Sequence, residues 1–265
     1  MRIIAIANQK GGVGKTTTTI NLGAALAEQG KRVLLIDLDP QGNTSTGLGV
    51  APGSRKATSY DLLLGEAIPE PQLLTVGGGN LWLIPANTDL ASADIELHAH
   101  EKRSFLLHDA LRGELLDRTR FDYVLIDCPP SLNLLTVNAM VAAHAVLVPL
   151  QAEFFALEGL SQLMMTIREV RLKANPGLRI EGVVLTMADM RNRLSQQVEA
   201  DVRETLGDLV FRNVIPRNVR ISEAPSYALT ILDYDPASKG GQAYRALALE
   251  VLERHESGGQ KEARA

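Results

Sequence analysis

Cysteine is all but absent from this 265-residue chain: Cys128 stands alone. One thiol cannot close an intrachain disulfide or build a Cys-rich zinc or iron–sulfur site, so the chain reads as one made for a reducing cytosol. Aromatic residues are scarce at 4%, which argues against a single-strand nucleic-acid binder built on stacking platforms. Long hydrophobic runs are missing too. The longest, Ala139 to Leu150, is interrupted by His144 and Pro149 and falls short of the roughly 18 residues that span a bilayer. The N-terminal run stops at Ala7 against Asn8-Gln9-Lys10, too short for a signal-peptide core. A soluble, cytoplasmic protein with no membrane partner is expected. Nor is there a surplus of positive charge: 27 Lys+Arg against 31 Asp+Glu give −4, an average that disfavours a nucleic-acid partner. What is present is apolar material, 45% of residues, too much for a disordered chain and enough for a sizeable core.

That material is arranged in alternation. Short β-branched runs at 3–7, 32–36, 81–84, 123–126, 145–150 and 180–185 predict strands. Stretches with helical spacing at 16–29, 89–111, 132–143, 157–173 and 194–206 lie between them. Continuous apolar strands such as Val33-Leu34-Leu35-Ile36 have no polar face, as a sheet covered on both sides requires. The expected fold is therefore α/β: a single doubly wound domain over residues 1–255, with a mostly parallel twisted sheet and helices on both faces. Residues 41–58 and 68–79 read as irregular, and residues 256–265 as a polar, frayed tail. The first strand begins too early to leave room for an N-terminal helix-turn-helix module.

Residues 10–17 read Lys-Gly-Gly-Val-Gly-Lys-Thr-Thr, after one strand and before one helix, the context that turns a glycine-rich string into a phosphate cradle. Gly11, Gly12 and Gly14 are expected to turn backbone amides inward, with Val13 between them. Lys15 supplies charge to the β- and γ-phosphates, Thr16 a hydroxyl to Mg²⁺, and Thr17 a reach to the α-phosphate. The string departs from the common phosphate-loop pattern, whose first glycine would fall at Gln9. Lys10 is the compensating oddity: a second lysine at the loop mouth either serves a nucleotide held by a facing subunit or stands solvated on a turn.

Carboxylates follow two further strands. Val33–Ile36 runs into Asp37-Leu38-Asp39, and strand alternation points Asp37 and Asp39 the same way. Asp127 closes Val124-Leu125-Ile126 and suits the water shell of a metal, so Thr16, Asp39 and Asp127 are the candidate magnesium residues. The position after Asp127 holds Cys128 rather than a glutamate that could activate water. Slow hydrolysis is expected.

These segments, together with Val214-Ile215-Pro216-Arg217-Asn218-Val219-Arg220-Ile221-Ser222-Glu223-Ala224-Pro225, resemble the ParA/Soj chromosome-partitioning ATPases, whose phosphate loop is a deviant form. The resemblance runs from residue 2 to about residue 250, and its short N-terminus is similar to the chromosomal form. It implies an ATP-bound sandwich homodimer, with Lys10 reaching the partner's nucleotide and Asp39 orienting the attacking water. It places Pro216, Arg217 and Asn218 near adenine and ribose, and Met187 against the base. It further implies non-specific binding of double-stranded DNA by the ATP dimer, through Arg191 and Arg220. A ParB-type centromere-binding partner would stimulate hydrolysis of ATP to ADP, and the protein would associate with the nucleoid. Charge is distributed to suit: residues 161–220 carry ten Lys/Arg against seven Asp/Glu, leaving −7 for the rest of the chain.

Other readings compete less well. A membrane-surface cell-division regulator of the MinD type would end in a basic amphipathic anchor, whereas 239–256 balances Lys239, Arg245 and Arg254 against Glu250, Glu253 and Glu256. A cluster-carrying ATPase similar to nitrogenase iron protein needs more cysteine, and an ATP-dependent ligase needs a substrate pocket that no motif announces. His98 and His100 are two apart and would not face each other on a helix; Met164 and Met165 read as core, and Trp82 as a strand residue. With no glutamate beside Asp127, basal ATP turnover without partners should stay below about one per second, against a median of about 10 for enzymes. Turnover of many per second in a purified-protein phosphate-release assay would refute that expectation.

Overall fold

The computed structural model describes residues 1–65, 72–74, 79–97, 100–112, 120–153, 156–189 and 191–262. Among them, seven strands form one sheet: β1 (Arg2–Ile6), β2 (Val33–Asp37), β3 (Gln72–Leu74), β4 (Leu81–Ile84), β5 (Tyr123–Asp127), β6 (Ala145–Gln151) and β7 (Arg179–Thr186). Their order is β3-β4-β2-β5-β1-β6-β7, and every pairing is parallel except that of β3 with β4. The doubly wound α/β architecture follows from the strand sequences. Each residue of β2 is buried, and successive residues of β1 feed opposite cores, Ile3 and Ala5 on one face, Ile4 and Ile6 on the other. The first face is covered by helices that include Leu134–Ala142 and Ala156–Lys173, the second by α1 (Lys15–Glu28) and the C-terminal helix Lys239–Glu262.

Two features aim this framework at one edge. Register pairs Ile6 and Asp37 each with Asp127, so β1, β2 and β5 end level and their following loops meet. α1 also lies very close to the sheet: a Cβ on Gly23 would stand 2.7 Å from Leu35 Cδ2. A larger residue there would lift the helix and, with it, the loop at its start.

Several expectations are corrected. The 89–111 helix is absent as a unit; a 3₁₀ turn at Thr88–Ala91 and short helices at Ala93–Glu96 and Leu106–Ala110 occupy it, because the charged 100–103 stretch breaks the apolar spacing. His98 lies outside the described residues, and His100 Nδ1 accepts the Lys102 N–H in a turn. Met164 packs on the core, but Met165, about 100° further round its helix, is 66% exposed. Trp82 lies in β4 and meets the Phe121 ring edge to face. The segment read as irregular at 41–58 contains a helix, Asn43–Gly47, and the described part of 68–79 contains the short edge strand β3. The last helix runs on to Glu262, past residue 256.

At the opposite edge, His144 pins β6 to β1: its Nδ1 accepts the Ile3 N–H (2.9 Å), while its backbone N–H donates to Ile3 O (2.8 Å). The first bond needs a neutral ring. Burial, then the charges of Arg2 and the N-terminus, lower the proton affinity of His144 below that of an ordinary histidine. The unfolded chain therefore takes up this proton first, so the contribution is intact above the ordinary histidine range and is lost as pH falls below it. The melting temperature should drop more between about pH 7.5 and pH 5 in the wild type than in His144→Asn, whose amide oxygen can accept without titrating. Equal slopes in calorimetry would remove His144 from the account.

Candidate phosphate-binding site

The loop from β1 to α1 is built on its own backbone. Gly12 (φ +74°) and Gly14 (φ +88°) hold left-handed conformations open to glycine, and Gly14 is the N-cap of α1. Gly11 does not need such freedom, contrary to expectation, since it is absent from the left-handed set; a Cβ there would touch only Pro130 at 3.9 Å. No side chain caps α1 and no acidic residue occupies its first turn, so its amides and dipole are left for an anion. The loop is pinned from both sides: Asn8 Nδ2 donates to Pro149 O (2.7 Å) and Thr186 Oγ1 to Val13 O (2.8 Å). Lys15 is 7% exposed and its Nζ donates to Lys10 O (3.1 Å) across the loop. Burial lowers its proton affinity, while Asp127, Cys128 and Asp39 oppose that shift.

Behind the loop sit two fully buried carboxylates. Asp127 accepts from Thr16 Oγ1 (2.8 Å), Thr44 Oγ1 (2.7 Å) and Thr19 Oγ1 (3.3 Å). Asp37 accepts from Ser45 N–H (2.8 Å), Ser45 Oγ (2.6 Å) and Asp39 N–H (3.3 Å). Burial pushes both well above the usual carboxylate range, and for Asp127 the charge of Asp37 pushes the same way. Asp37 and Asp39 both act electrostatically on Asp127, but they are held differently. β2 ends at Asp37, which is spent on holding the next turn, while Asp39 lies beyond the strand and accepts the Gln41 N–H (3.0 Å). Burial also keeps the Cys128 thiol protonated, which removes it as a base.

The loop opens into a cleft of about 270 Å³ whose lining includes Gly14, Thr17, Met187, Pro216, Arg217 and Asn218. These residues come from distant parts of the chain and meet because Ala188 bridges Pro216 beside the end of β7. Met187 itself takes a left-handed backbone (φ +52°), unusual for a side chain of its size. Sequence reasoning missed Thr186 and Tyr244, which also line the cleft, and Thr44, which holds Asp127. A lone Thr in an irregular stretch carries no sign of the carboxylate that it will meet.

The remaining candidates lie on the surface. Lys10 pairs with Glu153 of its own chain (2.7 Å), both side chains being substantially exposed. Arg191 is 91% exposed in its side chain and forks onto Asp189 (3.0 and 3.1 Å). Arg220 follows the cleft-lining Arg217 by three residues and pairs with Glu223 (3.0 Å) and Asp235 (3.6 Å).

A parallel sheet with a glycine loop and an uncapped helix at its carboxyl edge defines a P-loop type of nucleotide-binding protein. A family profile described as AAA domain matches residues 1–180. The chromosome partitioning protein ParA of Caulobacter vibrioides is 59% identical over 254 residues, which cover 96% of this chain and 95% of that one. The sporulation initiation inhibitor protein Soj of Bacillus subtilis is 50% identical over 94% of this chain and 98% of its own length. Among solved structures, cobyrinic acid a,c-diamide synthase from Mycobacterium smegmatis, with bound ADP and magnesium, matches with TM-score 0.82 and 41% identity, covering 97% of this chain and 96% of that one. The chain belongs to the ParA/Soj family of chromosome-partitioning ATPases.

Thr44→Val keeps the shape of the side chain but deprives buried Asp127 of one of its hydroxyl donors. The substitution should cost about 1–3 kcal/mol in denaturant unfolding at neutral pH. A loss below about 0.5 kcal/mol, the range of an ordinary surface change, would show that the bond contributes little.

Proposed function

We propose that this chain is an ATP-dependent switch for chromosome or plasmid partitioning, with residues 1–255 forming the ATPase domain. The observation that carries the reading is the continuity of the phosphate loop with the cleft: Gly14 and Thr17, which flank buried Lys15 in the chain, line the same cleft as Met187, Pro216, Arg217 and Asn218. The solved relative crystallised with ADP and magnesium, and the ParA and Soj relatives, support the same ligand and activity.

In this reading Lys10, Gly11, Gly12, Val13, Gly14, Lys15, Thr16 and Thr17 hold the phosphates, and Met187, Pro216, Arg217 and Asn218 the nucleoside. The donor set also fits magnesium: the Thr16 hydroxyl and Asp127 carboxylate lie 2.8 Å apart at the start of α1, with Asp39 as the second acid near Lys15. Magnesium, when bound, offsets the charge of the β- and γ-phosphates. Lys15 adds its own positive charge to those oxygens. Asp39, held by the Gln41 N–H on one oxygen, orients a water whose oxygen bonds to the γ-phosphorus as the bond from the β,γ-bridging oxygen to that phosphorus breaks, leaving ADP and phosphate. With Cys128 protonated and no glutamate beside Asp127, water activation is weak, which makes the reaction a timer that a ParB-type partner shortens.

ATP joins two copies, and Lys10 leaves Glu153 for the partner's phosphates. The homodimer then presents Arg191 and Arg220 from both copies to double-stranded DNA without sequence preference, which links retention on the nucleoid to the nucleotide state. This gives a cytoplasmic protein that moves between free and nucleoid-bound forms. A MinD-type role on membranes has less support, since Arg245 is committed to Glu28 rather than to a lipid-facing surface.

DNA binding should be measured by fluorescence anisotropy with ATP, ADP and no nucleotide. Binding only with ATP, prolonged in Asp39→Ala, is expected. Arg191→Ala/Arg220→Ala should weaken DNA binding and lower its salt slope by about 2 to 4 units while ATP-driven dimerisation persists. Equal binding in all nucleotide states would refute the switch.

A further inference from the structure

Arg55 lies outside the phosphate loop and does not line the nucleotide cleft, yet its guanidinium is filled with acceptors from one loop and one neighbouring strand end. Nε and Nη2 donate to Val50 O (3.1 and 2.9 Å), Nη2 also to Thr46 Oγ1 (2.8 Å) and Gly42 O (3.4 Å), and Nη1 to Ala86 O (2.8 Å). Gly42 is the N-cap of the Asn43–Gly47 helix and Val50 lies just past its end, whereas Ala86 follows β4. The guanidinium therefore straps the whole 42–50 segment to the sheet. A Cβ on Gly42, which has φ +62°, would collide with Arg55 Nη1.

The strapped segment contains the groups that organise the carboxylates. Thr44 holds Asp127, Ser45 holds Asp37, and the Gly42 N–H donates to Asp39 O (2.8 Å). Ala86 is fastened twice, since its N–H donates to Ser45 Oγ (3.0 Å) while its carbonyl accepts from Arg55. Only a planar fork with several donors can bridge these acceptors; a lysine ammonium is a single point at the end of a flexible stem.

We infer that Arg55 is a positioning residue for hydrolysis: by clasping Gly42, Thr46, Val50 and Ala86 it holds Asp39 and Thr44 in working geometry without touching nucleotide. The inference rests on the ATPase reading above. It separates two quantities. Nucleotide binding belongs to the loop before α1 and the cleft beside β7, while turnover depends on the loop after β2. Loss of the clasp therefore lowers kcat and leaves nucleotide affinity in place.

The test uses the full chain as wild type, Arg55→Ala, Arg55→Lys and Gly42→Ala. Steady-state Mg-ATP hydrolysis is measured beside affinity for a fluorescent ATP analogue, with circular dichroism to confirm folding. Both Arg55 variants should lose about 10- to 100-fold in kcat, the scale of a small misplacement, with affinity changed less than about twofold. Added methylguanidinium should restore turnover several-fold in Arg55→Ala and not in Arg55→Lys, a result that a general loss of stability would not give. Gly42→Ala, whose new methyl displaces the guanidinium, should reproduce the kcat loss even if Arg55→Ala fails to fold, and where both fold the double variant should be no worse than either single one. Unchanged kcat in a folded variant, a matching loss of affinity, or absence of rescue would overturn the role of Arg55 while leaving the ATPase reading intact. A wild type that binds no ATP or never hydrolyses it would overturn that reading and this role together.

Discussion

Two carboxylates end adjacent parallel strands in register, and the edge of the sheet around them is arranged to make that burial tolerable. Asp37 and Asp127 are fully buried and directly paired in register, so desolvation and mutual repulsion both favour their neutral forms. Hydroxyls from Thr16, Thr19 and Thr44 satisfy one, and Ser45 with the Asp39 amide satisfies the other. Because those donors come from α1 and from the loop after β2, the same bonds that satisfy the acids also fix the two loops against each other. Lys15, buried in the same place, gains from the acids part of what burial takes away.

This arrangement gives the site an internal division of labour. The glycine loop is shaped by its own backbone geometry and pinned to Pro149 and Thr186, so part of the hold on the phosphate end does not depend on the loop after β2. The loop after β2 is held mostly by side chains: Thr44, Ser45 and the Arg55 clasp. In the proposed reading, binding rests on the backbone of the glycine loop and turnover on the side-chain contacts after β2. The surface cations fit it too. Lys10, Arg191 and Arg220 all rest on carboxylates of their own chain, which lowers the free positive charge of the single copy.

Much of this is legible in the sequence. The six parallel strands were readable because fully covered strands are continuous apolar runs, and the phosphate loop because glycines, lysine and threonine fell between a strand and a helix. Short elements were not legible. β3 has three residues and no alternation of its own, and the 89–111 stretch has helical content broken by charges into pieces too short to show a period. The different duties of Asp37 and Asp39 were not legible either: alternation is a strand property, and the strand stops at Asp37.

The sequence by itself determined the class of fold, the chemistry of the loop and the low charge of the chain, since each depends on residue types at short spacing. Tertiary structure alone decided that Met187 and Pro216–Asn218 share a cleft with Gly14, that Thr44 reaches Asp127 from 83 positions away, and that Arg55 closes on Ala86. Those contacts arise because parallel strands ending level bring the loops of a long chain to one edge. The pairing of a loop side chain with a buried acid is a matter of distance in space, which local sequence does not encode.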